Sequence, residues 1–324
     1  MRRLAVLAVG MLSLAGCGAR DDRAPFVDSR IPPGLETRFY PPQGWAWGLI
    51  QVGDAPPARY GVSAPAGVAR GQVLILPDYG EPAEAWFETA GDLNRRGLVV
   101  WVLEAAGQGG SGRYLKRRDL GHSPAFAPDV AAVQVMAQRV VRHRPLTVVA
   151  GGAAAPIALS ALEGGVPADA LVLVSPRFGL PPSAKARWLR RLGLGGLRAG
   201  GGSWSREGPN DRLRGLTTDM ARGAIRLAWQ TANPDLRMGG PSWSWLLAFE
   251  ETSADARAGL GRVAVPVVVT VPGAKSAEAR ALCRQVRACR GRAFAGGPAL
   301  HLEGESARAA WLEAVASAAA APKR

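Results

Sequence analysis

Five short apolar runs limit what this chain can build: Gln72–Leu76, Leu98–Leu103, Thr147–Ala150, Leu171–Val174 and Val267–Val271. Each is rich in β-branched residues and is bounded by turn residues, so each reads as a strand buried on both faces. Stretches of helical spacing lie between them. Glu84–Arg96 ends at Gly97, a common helix stop, and Pro128–Arg142 places Val130, Val133, Met136, Ala137 and Val140 on one face. Two further short strands, Trp47–Val52 and Arg59–Ser63, come first and are joined by an Asp-Ala-Pro-Pro turn. Strands alternating with helices predict an α/β fold, a mostly parallel sheet with helices on both sides.

The rhythm breaks at about 180–260. Glycine-rich interruptions at Gly193–Gly202 separate helix-like stretches around Thr218–Thr231 and Ser242–Glu251. The segment carries five of the ten tryptophans: Trp188, Trp204, Trp229, Trp243 and Trp245. It reads as a helical cap inserted between two sheet strands. Its tryptophans are expected to pack within the cap, with one or two lining a cleft beneath it.

The start of the chain has a different character. Met1-Arg2-Arg3, an apolar run from Leu4 to Leu14 and Ala15-Gly16-Cys17 match a signal segment too short to span a bilayer. Leu14-Ala15-Gly16-Cys17 also resembles a bacterial lipobox, which implies acylation of Cys17 and a membrane-surface anchor. The expected organisation is therefore a signal peptide at 1–16, a tether at 17–44 and a domain at 45–320. Gly18 after the cysteine favours the outer membrane over the inner one, with the protein facing the periplasm.

The net charge of +14 rests mainly on arginine. No basic run with interleaved aromatics accompanies it, which argues against nucleic acid as a partner. Attraction to anionic headgroups and a biased coding composition both account for the surplus. Cys283 and Cys289 are a candidate disulfide for an oxidising compartment, provided a helix end falls between them. His122, His143 and His301 have no metal-ligand spacing, and neither a metal nor a cofactor is expected.

Several segments together resemble the monoglyceride lipase and lysophospholipase branch of the α/β-hydrolases, grouped with the serine aminopeptidase-like proteins. They are Gly107-Gln108-Gly109-Gly110-Ser111-Gly112 with Gly121-His122 beyond it, Val174-Ser175-Pro176-Arg177-Phe178-Gly179-Leu180, and Pro234-Asp235-Leu236-Arg237-Met238-Gly239-Gly240-Pro241-Ser242-Trp243. Leu146–Leu159 adds a strand, a tight turn and a helix with the outline of a nucleophile elbow. The likeness runs from about Trp47 to the C-terminus and implies the α/β-hydrolase fold.

It also implies a serine, a histidine, an acid and an oxyanion loop, and the aligned positions hold none of them. Gly152 stands at the serine, Ala274 or Lys275 at the acid and Pro298 at the histidine. Pro77-Asp78-Tyr79-Gly80-Glu81 replaces His-Gly-Phe-Gly-Glu, setting a carboxylate where negative charge would develop. The expectation is an exported, lipid-anchored protein without serine-hydrolase chemistry. Asp78, Tyr79, Gly152 and Ala153 would form the floor of a cleft for an acyl or lysolipid ligand, or the fold would hold an envelope protein partner. The alternative is an active lysophospholipase or monoacylglycerol lipase with displaced residues, Ser175 or Ser111 working with His122 or His301. Ser160 is a weaker nucleophile candidate.

Overall fold

The computed structural model describes residues 20–206 and 215–320, so Cys17 and the signal segment lie outside the described residues. The strands are β1 (Ala46–Ile50), β2 (Ala58–Ser63), β3 (Gly71–Leu76), β4 (Leu98–Leu103), β5 (Leu146–Gly151), β6 (Ala170–Val174), β7 (Val267–Pro272) and β8 (Cys289–Phe294). They form one sheet in the order β1-β2-β4-β3-β5-β6-β7-β8. β1 and β2 are antiparallel to their neighbours, and every other pairing is parallel. β3, β5 and β6 are buried along their whole length, as their largely apolar runs predict.

The helices are α1 (Phe87–Arg95), α2 (Ala127–Val135), α3 (Ala155–Glu163), α4 (Ala184–Arg191), α5 (Met220–Gly223), α6 (Ile225–Ala232), α7 (Trp243–Gly259), α8 (Ser276–Cys283) and α9 (Glu305–Ala319). Two apolar clusters cover the two faces of the sheet. One gathers Met136, Ile157, Leu159, Ala256 and Leu260 over Leu74, Val148 and Leu173. The other gathers Trp86, Leu93, Trp311 and Val315 over Val73, Ile75 and Val149.

Chain direction places the site. β4 lies on one side of β3 and β5 on the other, so the C-terminal ends of β3 and β5 form a topological switch point. Leu76 pairs with Ala150 at that edge, which brings the loop bearing Asp78 against the turn bearing Gly152.

Several expectations are corrected. The helix predicted over Pro128–Arg142 is α-helical only to Val135, and Met136–Val140 continues as a π-helical turn. β8 was not foreseen: its sequence Cys-Arg-Gly-Arg-Ala-Phe is mostly exposed and lacks an apolar run. The cap at about 180–260 is partly body, because Ala248, Ala256 and Leu260 of and after α7 join the main core. Its tryptophans diverge too: Trp229 is fully buried, whereas Trp188 is 59% exposed.

The tether is not a free one in its described part. Phe26 N–H donates to Gly110 O at 2.9 Å, Arg30 exchanges hydrogen bonds with the Asn233 side chain, and Phe39 is buried with Phe87 and Trp229. A disulfide joins Cys283, the last residue of α8, to Cys289 at the start of β8.

Candidate functional site

The turn between β5 and α3 requires a left-handed residue, and Gly152 supplies φ +44° without the cost a side chain would carry. The two N–H groups that form the oxyanion hole in such an elbow belong to the next residue and to the loop after β3. Here they are Ala153 and Tyr79, and both are engaged. Ala153 N–H donates to Asp78 Oδ1 at 2.8 Å, and Tyr79 N–H donates to the same oxygen at 2.6 Å. Arg177 Nη2 adds contacts to Oδ1 at 2.6 Å and Oδ2 at 2.8 Å. The chain's own carboxylate therefore occupies the hole. It also fills the room above the turn, since a Cβ built on Gly152 would overlap the Asp78 carboxyl group.

The loop after β6 sets Arg177 in place. Ser175 takes φ +45°, a strained value for a residue with a side chain, and Arg177 N–H donates to Gly152 O at 2.9 Å. Ser175 Oγ donates to the Pro298 carbonyl at 2.8 Å, linking this loop to the one after β8.

Behind the ion pair is a cavity of about 90 Å³, lined by Asp78, Glu81, Trp86, Gly152, Ser175, Arg177, Pro298 and His301 among others. His301, the candidate base of the alternative reading, lies within it, stacked on Trp86 with ring centroids 3.8 Å apart. Its Nε2 is 3.6 Å from Glu81 Oε1, and neither ring nitrogen forms a hydrogen bond. Burial, aided by the charge of Arg308, pushes the imidazole down to about 3, so it is neutral at ordinary pH. Burial, reinforced by the Asp78 charge, pushes Glu81 up to about 7.

The displaced-residue candidates do not assemble. Ser175 and His301 share the cavity, yet the serine hydroxyl is spent on Pro298 and no histidine nitrogen meets it. Ser111 is fully buried; its Oγ accepts from Arg59 N–H at 2.8 Å and donates to Glu104 O at 3.2 Å. Ser160 lies within α3 and lines neither this cavity nor the cleft. His122 Nδ1 does meet a serine, Ser242 Oγ at 2.9 Å, but Ser242 is fully buried and caps α7 by accepting from Trp245 N–H. Burial pushes His122 down to about 4. At the acid position, Gly273–Lys275 forms a short turn and Lys275 pairs with Glu278.

In front of the ion pair, beneath the cap, is a cleft of about 710 Å³. Tyr79, Phe178, Trp245, Leu246 and Phe249 give it an apolar lining, and Ala153 lies at its floor. Tyr79 OH donates to Gly239 O at 2.9 Å and its ring meets Trp245 edge-on. Arg177 lines both spaces, so the Asp78–Arg177 pair stands between them. Arg177 could not be joined to Glu81 and Trp86 in advance, because it follows β6 while they follow β3.

The model of the serine aminopeptidase S33 family matches residues 67–280. Lysophospholipase L2 of Escherichia coli strain K12 is 29% identical over 212 residues, 61% of each chain, so the chain spans about 61% of that relative's length. Among solved structures, a soluble variant of monoglyceride lipase from Saccharomyces cerevisiae superposes with a TM-score of 0.69 at 12% identity, covering 88% of this chain and 98% of that one. The monoacylglycerol lipase of Paleococcus ferrophilus gives a TM-score of 0.60 at 15% identity, over 80% and 98% of the two chains. At such identities the structural matches speak for the fold. The matched family model, the eight-stranded sheet and the elbow after β5 agree: the chain belongs to the serine aminopeptidase S33 family of α/β-hydrolases.

Proposed function

We propose that this protein is an exported, lipid-anchored family member that has lost serine-hydrolase catalysis and binds an acyl or lysolipid ligand beneath its cap. One observation carries the reading: the Asp78 carboxylate sits on both N–H groups that would stabilise an oxyanion, over a glycine with no hydroxyl. A negative group at that point opposes the charge that ester hydrolysis would build there. The apolar cleft of about 710 Å³ supplies room for an alkyl chain.

The exported, membrane-facing part of the reading draws on separate observations. A Cys283–Cys289 disulfide suits an oxidising compartment. The cap helix α4 displays exposed Lys185, Arg187, Arg190 and Arg191, with exposed Leu180, Trp188 and Leu192 on and beside it. That mixture of cationic and apolar groups suits an anionic bilayer surface.

The test is fluorophosphonate labelling of the purified protein, joined to mass spectrometry of lipids that co-purify with it. The expected result is no labelled serine and a retained single-chain lipid. Covalent labelling of one serine would restore the displaced-residue hydrolase. Retention of an envelope protein with no lipid would favour the partner reading instead.

A further inference from the structure

Two backbone N–H groups and a guanidinium, converging on one carboxylate, are the parts of a carboxylate-binding site. In this molecule the carboxylate held there is internal. Asp78 receives Ala153 N–H, Tyr79 N–H and Arg177 Nη2. The pair is reachable from outside: the Arg177 side chain is 58% exposed and that of Asp78 24%. Arg177 also lines the cleft, so an incoming group meets the guanidinium before it meets the elbow.

The rest of the cleft has the same charge preference. A second cation, Arg257, lies over the Phe178 ring at 5.1 Å, held by its bond to Gly179 O at 2.7 Å. Glu278, the acid in the lining, is paired with Lys275. A neutral ester entering this space finds the elbow donors already filled and has no charge with which to displace their occupant. An anionic headgroup carries the charge with which to compete with Asp78, and its chain can lie along Tyr79, Phe178, Trp245 and Phe249.

We propose that the cleft selects anionic single-chain amphiphiles over neutral esters, with Arg177 holding the headgroup and Asp78 acting as a built-in competitor for the same donors. This rests on the reading of the cleft as an acyl-binding space. A fatty-acid carboxylate and a lysophospholipid phosphate share the required chemistry.

The test uses the full chain carrying Cys17→Ser, dansyl-labelled undecanoic acid and its methyl ester, with binding read by dansyl fluorescence. The acid is expected to bind more tightly than the ester. Asp78→Ala, which vacates the donors, should tighten the acid about tenfold, and Arg177→Gln should weaken it about tenfold, the scale of one charge-assisted contact. The ester should change little in either variant. Asp78→Gly serves the same purpose, with the same sign, if Asp78→Ala does not fold. Competition by oleate against oleoyl lysophosphatidate then separates a carboxylate head from a phosphate head. Equal binding of acid and ester in wild type and variants would overturn the charge selection while leaving acyl binding intact. Failure of both probes to bind would overturn the acyl-binding reading and this inference with it.

Discussion

A Cβ on Gly152 and the carboxylate of Asp78 cannot coexist in the arrangement of this elbow, because they would occupy the same space. The two residues lie at the ends of adjacent parallel strands, one loop after β3 and one turn after β5. The missing nucleophile and the acidic oxyanion loop are thus two sides of one packing solution. While Asp78 holds the Ala153 and Tyr79 N–H groups, residue 152 has room only for hydrogen.

Gly152→Ser should therefore cost about 1–3 kcal/mol through overlap and a left-handed backbone. Adding Asp78→Gly should recover part of that loss, so the two substitutions couple in a double-mutant cycle of thermal or denaturant melts. Additive effects would mean that Asp78 moves aside without cost. Neither variant should hydrolyse esters, since Ala274 and Pro298 stand where an acid and a base are needed. Measurable turnover by Gly152→Ser alone would make His301 a working base.

The cap helix gives a prediction independent of the cleft. Binding to vesicles should rise with anionic lipid content and fall with salt, because exposed Lys185, Arg187, Arg190 and Arg191 surround Trp188. Trp188→Ser should weaken binding by roughly the burial energy of part of one indole, about 1–2 kcal/mol, while charge reversal at Arg187 and Arg191 should lower the salt dependence. Co-sedimentation of the Cys17→Ser chain measures both. Equal binding to neutral and anionic vesicles would remove this surface from the membrane-facing account.

The central sheet was legible in the sequence because strands buried on both faces must be largely apolar, and β3 through β7 are, with Gln72, Thr147 and Thr270 the polar exceptions. β8 was not, because an edge strand with exposed arginines carries no such run. The stretch 20–44 read as polar tether, yet single contacts by Phe26, Arg30 and Phe39 are enough to pin it, and no periodicity announces isolated contacts. At the site, Gly152 and Asp78 could each be singled out by position. Their mutual exclusion could not, because it depends on where one carboxylate points. His301 could be offered as a base from the sequence, but its place against Trp86 could not be read there, because it follows from the loop after β8 folding back over the end of β6.

Stability should carry an acid-side signature from Asp129. Its Oδ1 accepts Ala106 N–H at 2.8 Å, its Oδ2 has no partner, and burial pushes its pKa from 3.8 up to about 7. The native state then holds a proton that the unfolded chain has released, so stability falls as pH rises from about 4 to about 7 and is level above that. Glu81 acts with the same sign up to about 7. His301, depressed from 6.5 to about 3, acts with the opposite sign and adds stability as pH rises between those values. The comparison with Asp129→Asn isolates one contribution: the variant should lose part of the downward slope and gain on wild type at neutral pH and above. Parallel curves in urea titrations across this range would show that Asp129 is ionised in the native protein throughout.

The last prediction concerns the sheet edge. Among the described residues β8 pairs only with β7, most of its side chains are exposed, and the Cys283–Cys289 bond ties its first residue to the end of α8. A short closed loop of this kind stabilises by about 2 kcal/mol in the chain-entropy account. Replacing both cysteines by serine should therefore lower the melting point, but unevenly. Amides of Arg290–Phe294 should exchange faster, while those of β3 and β5, inside the sheet, should keep their protection. Uniformly faster exchange would mean that the edge unfolds only with the whole domain. A local effect would make β8 a separately opening unit held down chiefly by its disulfide, and its opening would reach the cavity through the Pro298 loop that follows it.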